Sequence, residues 1–371
     1  MLKNLHGEKR TLRSQQELDA VIASHERFIA SKGGTRAQLG GLDLSNLHLE
    51  KRILREADFS GSAFVNATMW GADLERASLY CADLQDCDLR RANLQHADMR
   101  GVSLKGANLA FAKLDNADMR AAMMMYMSPD GISILNRESA SDGGVVDFSN
   151  CSLKKASFGN AKLHGANFSG ALLQGVNFRG AKLSDANFSG AVLTGVNLQD
   201  LQLPAETFKD CVTDISAQAQ GKFDELRGRL DAHQQWIVTG GKQGNHCVLD
   251  GEDIRPLLQL VVGRPLTGLS ARNAIAVGLN FSGCQLQGAR FDGADLRDVD
   301  FTGADLRGAS FAGAKISHAC FNKADLRTLE LSTGQARPAN LCAAVGSLDQ
   351  FGGALLDGQA SDLGLAGQAA A

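Results

Sequence analysis

Proline is scarce, with five residues in 371, and tryptophan and tyrosine number two each. So few prolines exclude a chain built from polyproline linkers. No apolar run approaches the ~20 residues that span a bilayer, so no membrane association is expected. Neither charge sign dominates: 38 Lys and Arg face 41 Asp and Glu, a formal net charge of -3. That balance gives no pull toward a polyanion, and direct nucleic-acid binding is not expected. Eight cysteines are present without one C-x-x-C pair, which removes the usual zinc and dithiol signals. There is no G-x-S-x-G elbow, Walker loop, H-E-x-x-H helix or G-x-G-x-x-G turn before a helix. The sequence therefore points away from an enzyme, and no catalytic residue, cofactor or metal is expected. The opening MLKNLHGEKRTLRSQQELD places charges where a secretory signal would be apolar, so a cytoplasmic protein is expected.

Glycine is abundant, with 41 residues, and one short phrase recurs. In ANFSGALLQGVNFRGAKLSDANFSGAVLTGVNL, from Ala166 to Leu198, every fifth residue is large and apolar, and Ala or Val stands two places before it. Such centres run without a slip from Leu39 to Met124, from Phe148 to Leu203, and from Phe281 to Leu331, giving 18, 12 and 11 pentads. Between the first two tracts, MMMYMSPDGISILNRESASDGGVV breaks the phase, because Phe148 is out of step with the fives counted from Met124. The expected segments are an N-terminal region with a capping helix (1–38), the first tract (39–127), an inserted loop (128–147) and the second tract (148–204). A linker with a second capping helix (205–248), an irregular lead-in (249–280), the third tract (281–331) and a mobile Gly/Ala-rich tail (332–371) follow.

Neither a helix nor a flat strand has a period of five. Side chains alternate along a strand, so an odd period would turn successive centres to opposite faces. All centres are apolar, so each pentad must end in a bend that resets the alternation. The small residue and the centre then point inward, the residue between them points outward, and the two after the centre form the corner. Glycine, frequent at the second corner place, tolerates the positive φ of a tight turn.

ADLRGASF and ANFSGAVL carry the pattern A(D/N)LXX, and in this the chain resembles the pentapeptide-repeat family. The resemblance covers a little over half the chain. It implies an all-β solenoid, a right-handed quadrilateral β-helix with four pentads per coil, here in two modules. Four pentads then return the chain to the same side. Phe148, Phe168 and Phe188 are expected in one core column, with Phe158 and Phe178 in the opposite one. Phe281, Phe301 and Phe321 should face Phe291 and Phe311, and Leu94 and Leu104 should line the first tract.

Each module needs a cover for its open end. In SQQELDAVIASHERFIASKGG, Leu18, Val21, Ile22, His25, Phe28 and Ile29 share one helical face, and Ser14 with Glu17 fits a capping box. In FDELRGRLDAHQQWIVTGGKQG, Phe223, Leu226, Leu230, His233, Trp236 and Ile237 do the same. His25, Phe28, His233 and Trp236 are the cap residues, each histidine expected half-buried and bonded to a backbone carbonyl. The cysteines at 87, 151, 247 and 284 stand where Ala is usual and act as small hydrophobes.

A flat-walled rod offers long surfaces to a protein and no cleft to a small molecule. The expected function is a protein–protein interaction scaffold with one unidentified protein partner. Met123, Met125, Tyr126, Met127 and Asp130, at the break, are the partner-binding candidates. The family resemblance adds an alternative, a DNA mimic that regulates or protects DNA gyrase or another topoisomerase. A wall imitating B-DNA over the first tract would need about 13 net negative charges. Residues 39–124 hold 12 acids and 10 bases, which disfavours a whole-face mimic. A secreted bacterial effector is a second alternative, and a homodimer through a solenoid end is a further expectation.

Overall fold

The computed structural model describes residues 14–128, 131–137, 145–358 and 363–366, with backbone alone for 123–128 and 131–137. The chain forms two compact units, Met1–Asp214 and Ile215–Ala371.

Unit 1 begins with helix α1, Gln15–Ile29. Ser14 and Glu17 form a reciprocal capping box that satisfies two end donors. Leu18, Ile22 and His25 fall on one face and are buried, and Leu18 and Ile22 join the same apolar core as the coils. The first coil has no coil beneath it, and side chains of α1 take the place of the missing strands. The Gln15 amide donates to the His48 carbonyl at 2.9 Å and accepts from the His48 N–H at 2.8 Å. The Ile53 N–H donates to Glu26 at 3.3 Å.

The coils follow a strict register. Gln38 bridges Asp58, Asp43 bridges Ala63, His48 bridges Thr68, and Ile53 bridges Asp73. All four bridges are parallel and each spans four pentads, so the coil has four sides. Within the stack a centre donates its N–H to the next coil, as Leu39 does to the Asp58 carbonyl and Leu44 to the Ala63 carbonyl at 2.8 and 2.7 Å. At the corners the second residue is left-handed, as at Asn46, Lys51, Glu56 and Gly61 with φ of 61°, 58°, 61° and 68°. Some corners demand glycine for a second reason. The Asp86 carboxylate tucks over Gly106 and would overlap any Cβ added there, and Asn273 covers Gly293 in the same way.

The first tract ends one centre earlier than the periodicity predicts. Met119 is its last buried centre, and Met124 belongs instead to a hairpin of β1, Ala122–Ser128, and β2, Gly131–Arg137. These strands pair antiparallel, with Met124 opposite Leu135 and Met127 opposite Ile132. The excursion therefore begins at 122, not 128. The coil register survives it: Asn108 bridges Asp147 across the whole excursion, just as Asp88 bridges Asn108 across an ordinary coil. The hairpin takes the place of one side of one coil, and the second tract continues the same core.

Above the hairpin, Phe148, Phe168 and Phe188 stack with centroids 5.1 Å apart and nearly parallel rings. Phe158 and Phe178 stack opposite them at 5.3 Å, edge-on to the first column at about 80°. The second tract also ends early. Leu198 starts a 3-10 turn, Leu198–Leu201, and neither it nor Leu203 is a buried centre. Leu201 and Phe208 fill the core instead, with Phe208 5.9 Å from Phe188, and Val212 returns to pair with Val192.

Unit 2 opens with α2, Ala217–Gly221, and α3, Phe223–Val238, whose Leu226, Leu230 and His233 are buried. The stretch 249–280 is coil and not an irregular lead-in. Val248 pairs with Ser270 and Asp253 with Ile275, each span a little longer than four pentads, because a 3-10 turn at Arg255–Leu257 enlarges the first coil. The ordinary spacing returns from Pro265, which pairs with Gln285. The periodicity hides this because Ala271 and Ala276 sit at centres, while Leu269, two places before one of them, supplies bulk. The Phe281–Phe301–Phe321 and Phe291–Phe311 columns then stack at 5.2–5.7 Å.

Leu331 is not a centre; it is 40% exposed. The chain leaves through β3, Leu329–Glu330, and β4, Ala336–Arg337, and Asn340 then returns to pair with Ser310. The expected mobile tail is in part a further coil. Leu341, Ala344 and Phe351 are buried, and Phe351 stacks on Phe321 at 4.6 Å.

Candidate interaction surface

The flat walls carry paired charges, and the repeat explains why. Asp sits just before a centre and Arg just after it, so both point outward two places apart. Asp88–Arg90, Asp98–Arg100 and Asp118–Arg120 in unit 1 are bidentate pairs at 2.6–2.8 Å. Asp305–Arg307 and Asp325–Arg327 repeat this in unit 2, where Asp295–Arg297 is a buried version with Arg297 only 1% exposed. The Arg327 guanidinium holds the Asp325 carboxyl below the usual carboxylate range. Burial pushes Asp305 up, but the bonds from Arg307 outweigh it and the net shift is down. Each of these carboxylates is held by the arginine two places on.

The four cysteines that stand where Ala is usual are buried. The Cys87, Cys151 and Cys284 thiols lie inside the coil wall and donate to the carbonyls of Phe64, Leu109 and Val261 at 2.7–2.9 Å. Burial pushes the Cys87 and Cys151 thiols well above their ordinary range, and Cys247 up to about 11, so none is a nucleophile at neutral pH. Among the described residues no cluster of His, Cys, Asp and Glu could hold a metal ion, and no helix is long and apolar enough to cross a membrane.

The cap histidines differ from their expectation in depth and in partner. His25 and His233 are fully buried. His25 Nδ1 accepts the Ala37 N–H, and His233 Nδ1 accepts the Cys247 N–H, each at 3.1 Å. Ala37 and Cys247 both stand two places before the first centre of their unit. Each ring therefore receives the chain as it enters the first coil, and must be neutral at Nδ1 to do so. Burial lowers the pKa of both, and His246 lowers that of His233 further. Phe28 stacks on His25 at 6.2 Å but is 41% exposed, while Trp236 lies parallel to His233 at 5.6 Å. A shallow depression beside α3 is lined by Glu225, Arg229, Asn245 and His246. Arg229 is paired to Glu225, and His246 Nε2 is bonded to the Gly268 carbonyl.

The partner-binding candidates fall on the hairpin. The backbone of Met123, Met125, Tyr126 and Met127 lies in β1, opposite Asn136, Ile134, Ser133 and Ile132. Asp130, and the side chains of those four, lie outside what is described. Sequence reasoning missed Trp70, which stands at a coil corner with Lys51 Nζ 4.6 Å and Arg91 Cζ 5.9 Å from its ring centre. Its signal is the series Lys51, Gly71, Arg91, Phe111, which only becomes a column once the coil length is known.

Pentapeptide repeats match the chain at residues 35–71, 43–79, 82–120, 266–303 and 293–327, and a pentapeptide repeat region matches 144–217. The chain belongs to the pentapeptide-repeat family. Each unit is the family's right-handed quadrilateral β-helix, and no catalytic family is indicated. Among solved pentapeptide-repeat structures, the chain is similar to HetL of the cyanobacterium Nostoc sp. strain PCC 7120, a protein involved in heterocyst differentiation regulation. The identity is 18%, over 89% of this chain and 90% of that one, with a TM-score of 0.23. It is also similar to QnrB1, a plasmid-mediated fluoroquinolone resistance protein, at 20% identity over 51% of this chain and 91% of that one, with a TM-score of 0.19. A pentapeptide repeat protein of the Arabidopsis thaliana thylakoid lumen matches at 18% identity over 51% of this chain and 75% of that one, with a TM-score of 0.12. No curated protein matches the chain.

Proposed function

We propose that this protein is a non-enzymatic scaffold that acts by protein–protein contact, with the β1–β2 hairpin as a recognition arm. The observation that carries this reading is the way the hairpin is inserted. It lengthens one side of one coil, and the coils before and after it keep their register, as the Asn108–Asp147 bridge requires. Among the described residues the two strands of the excursion bridge each other and no coil strand, and ordering such an addition carries a cost in chain entropy. Loops carried by a rigid frame are where binding residues concentrate.

The test is a variant in which the hairpin is cut back to a single pentad with Leu at the vacated centre. Affinity capture from the native source should lose its specific partner with this variant while the melting temperature holds. Retention of the same partner set by the variant would overturn the reading. Pairing of Asp with Arg along the walls weighs against a DNA-like face, so a topoisomerase regulator would have to bind through another feature. A gyrase supercoiling assay, with and without quinolone, separates that alternative: no effect at micromolar protein removes it.

A further inference from the structure

We propose that the coil corner built by Lys51, Trp70, Arg91 and Phe111 is a second docking surface, and that its occupant is an acidic segment of a protein partner. This deepens the scaffold reading and rests on it.

Positions 51, 71, 91 and 111 occupy one corner column, one coil apart, and 50, 70, 90 and 110 occupy the column beside it. At ~4.8 Å per coil, Lys51 to Phe111 spans about 14 Å of edge. Gly71 lets the Lys51 stem lie along the corner, with Lys51 Cγ 3.5 Å from where a Cβ would stand. The Lys51 ammonium thus reaches the Trp70 ring, and Arg91 reaches it as well. A ring holding two cations restrains both heads at a cost of little exposed area.

The carboxylates of the same strip are already committed. Asp88 is bidentate with Arg90, and Glu50 bonds Thr68 and sits 3.3 Å from His48. Among the described residues, Lys51 and Arg91 have no carboxylate partner, so the strip carries two free positive charges on a chain of net -3.

Phe111 adds a second, independent sign. The other coil phenylalanines described are core residues, while Phe111 stands at a corner, half-buried, with φ of 61°. Left-handed φ is costly for a bulky side chain. Trp, Arg and Phe are the residue types that dominate protein interfaces. Base stacking on Trp70 would have to displace the cations resting on it, so the geometry favours carboxylates over nucleic-acid bases.

The experiment is fluorescence anisotropy of a labelled poly-Asp/Glu peptide, long enough to cover the strip, titrated with the full chain. Saturable binding is expected, weakened about tenfold or more by Lys51→Glu with Arg91→Glu, and relieved by added salt. The paired control Lys209→Glu with Lys323→Glu, at exposed positions away from the strip, should change it less than about twofold. Trp70→Phe, which keeps a ring at the corner, should retain most of the binding. Equal loss from both charge-reversal pairs, absence of saturable binding, or tighter binding of a labelled oligothymidine would overturn the proposal. Run beside the hairpin excision, the two readings separate: a hairpin-dependent partner without peptide binding removes this surface and leaves the scaffold standing.

Discussion

Unit 1 lines its first coils with Leu and Met and stacks phenylalanine mainly above the hairpin, whereas unit 2 builds facing phenylalanine columns from Phe281 onward. Both also interrupt the repeat, by a long excursion at β1–β2 and a shorter one at β3–β4, and both resume with the columns aligned. The difference teaches that coil spacing is kept more strictly than core composition. Each coil is held by backbone bonds to its neighbours and by one bulky group per side. A slip of a single place would expose all the centres beyond it, so an insertion survives only by leaving and returning at the same side.

The largest effect that would break this comparison comes from placing a charge in a column. Phe168→Asp or Leu94→Lys should unfold unit 1, and Phe301→Asp should unfold unit 2, each by more than about 4 kcal/mol. Calorimetry of Phe301→Asp should lose one transition and keep the other. Loss of both together would show that the units do not fold separately.

Next come the caps. Removing the ring acceptor with His25→Ala leaves the Ala37 N–H buried without its partner and should cost about 1–3 kcal/mol. The pH dependence follows from the lowered pKa of both histidines. The folded state holds them neutral, while the unfolded chain takes up protons below ~6.5. Their contribution is therefore complete above ~6.5 and is lost as pH falls from there toward the depressed folded value. Urea midpoints of the parent should drop between pH ~7.5 and ~5.5 more than those of His25→Gln; identical drops would remove His25 from the account.

A smaller effect tests the corners. Gly293→Ala must push Asn273 aside, whereas Gly303→Ala meets nothing within 4 Å, although both sit at φ of 65–68°. The first should cost about 1 kcal/mol more than the second, and Asn273→Gly should erase the difference in melting temperature. Smallest of all, Arg307→Ala should change stability by less than about 1 kcal/mol, because its pair with Asp305 is partly exposed. A larger loss by urea titration would mean that the Asp–Arg columns support the walls.

Much of this was legible in the amino-acid order, and the failures have physical causes. The period of five and the alternation of Phe with Leu specify the columns, because a bend in every pentad is the way to keep all centres inside. The capping helices were legible from Ser14, Glu17 and the Leu18–Ile22–His25 face. What was missed lay where bulk moved off the expected place. Ala271 and Ala276 at centres hid two sides of a coil, and Leu201 and Phe208 replaced Leu198 and Leu203 through turns that a strict count of five cannot see.

The sequence by itself determined that this is a square coil of pentads with its bulky centres inside, since that property repeats locally in every pentad. Only the tertiary structure decided that Asp147 pairs with Asn108 across a hairpin, that a supposed tail closes a further coil, and that Lys51, Trp70, Arg91 and Phe111 share one edge. Those pairings depend on stacking between places a coil or more apart in the chain, which the order of residues does not fix until the coils are closed.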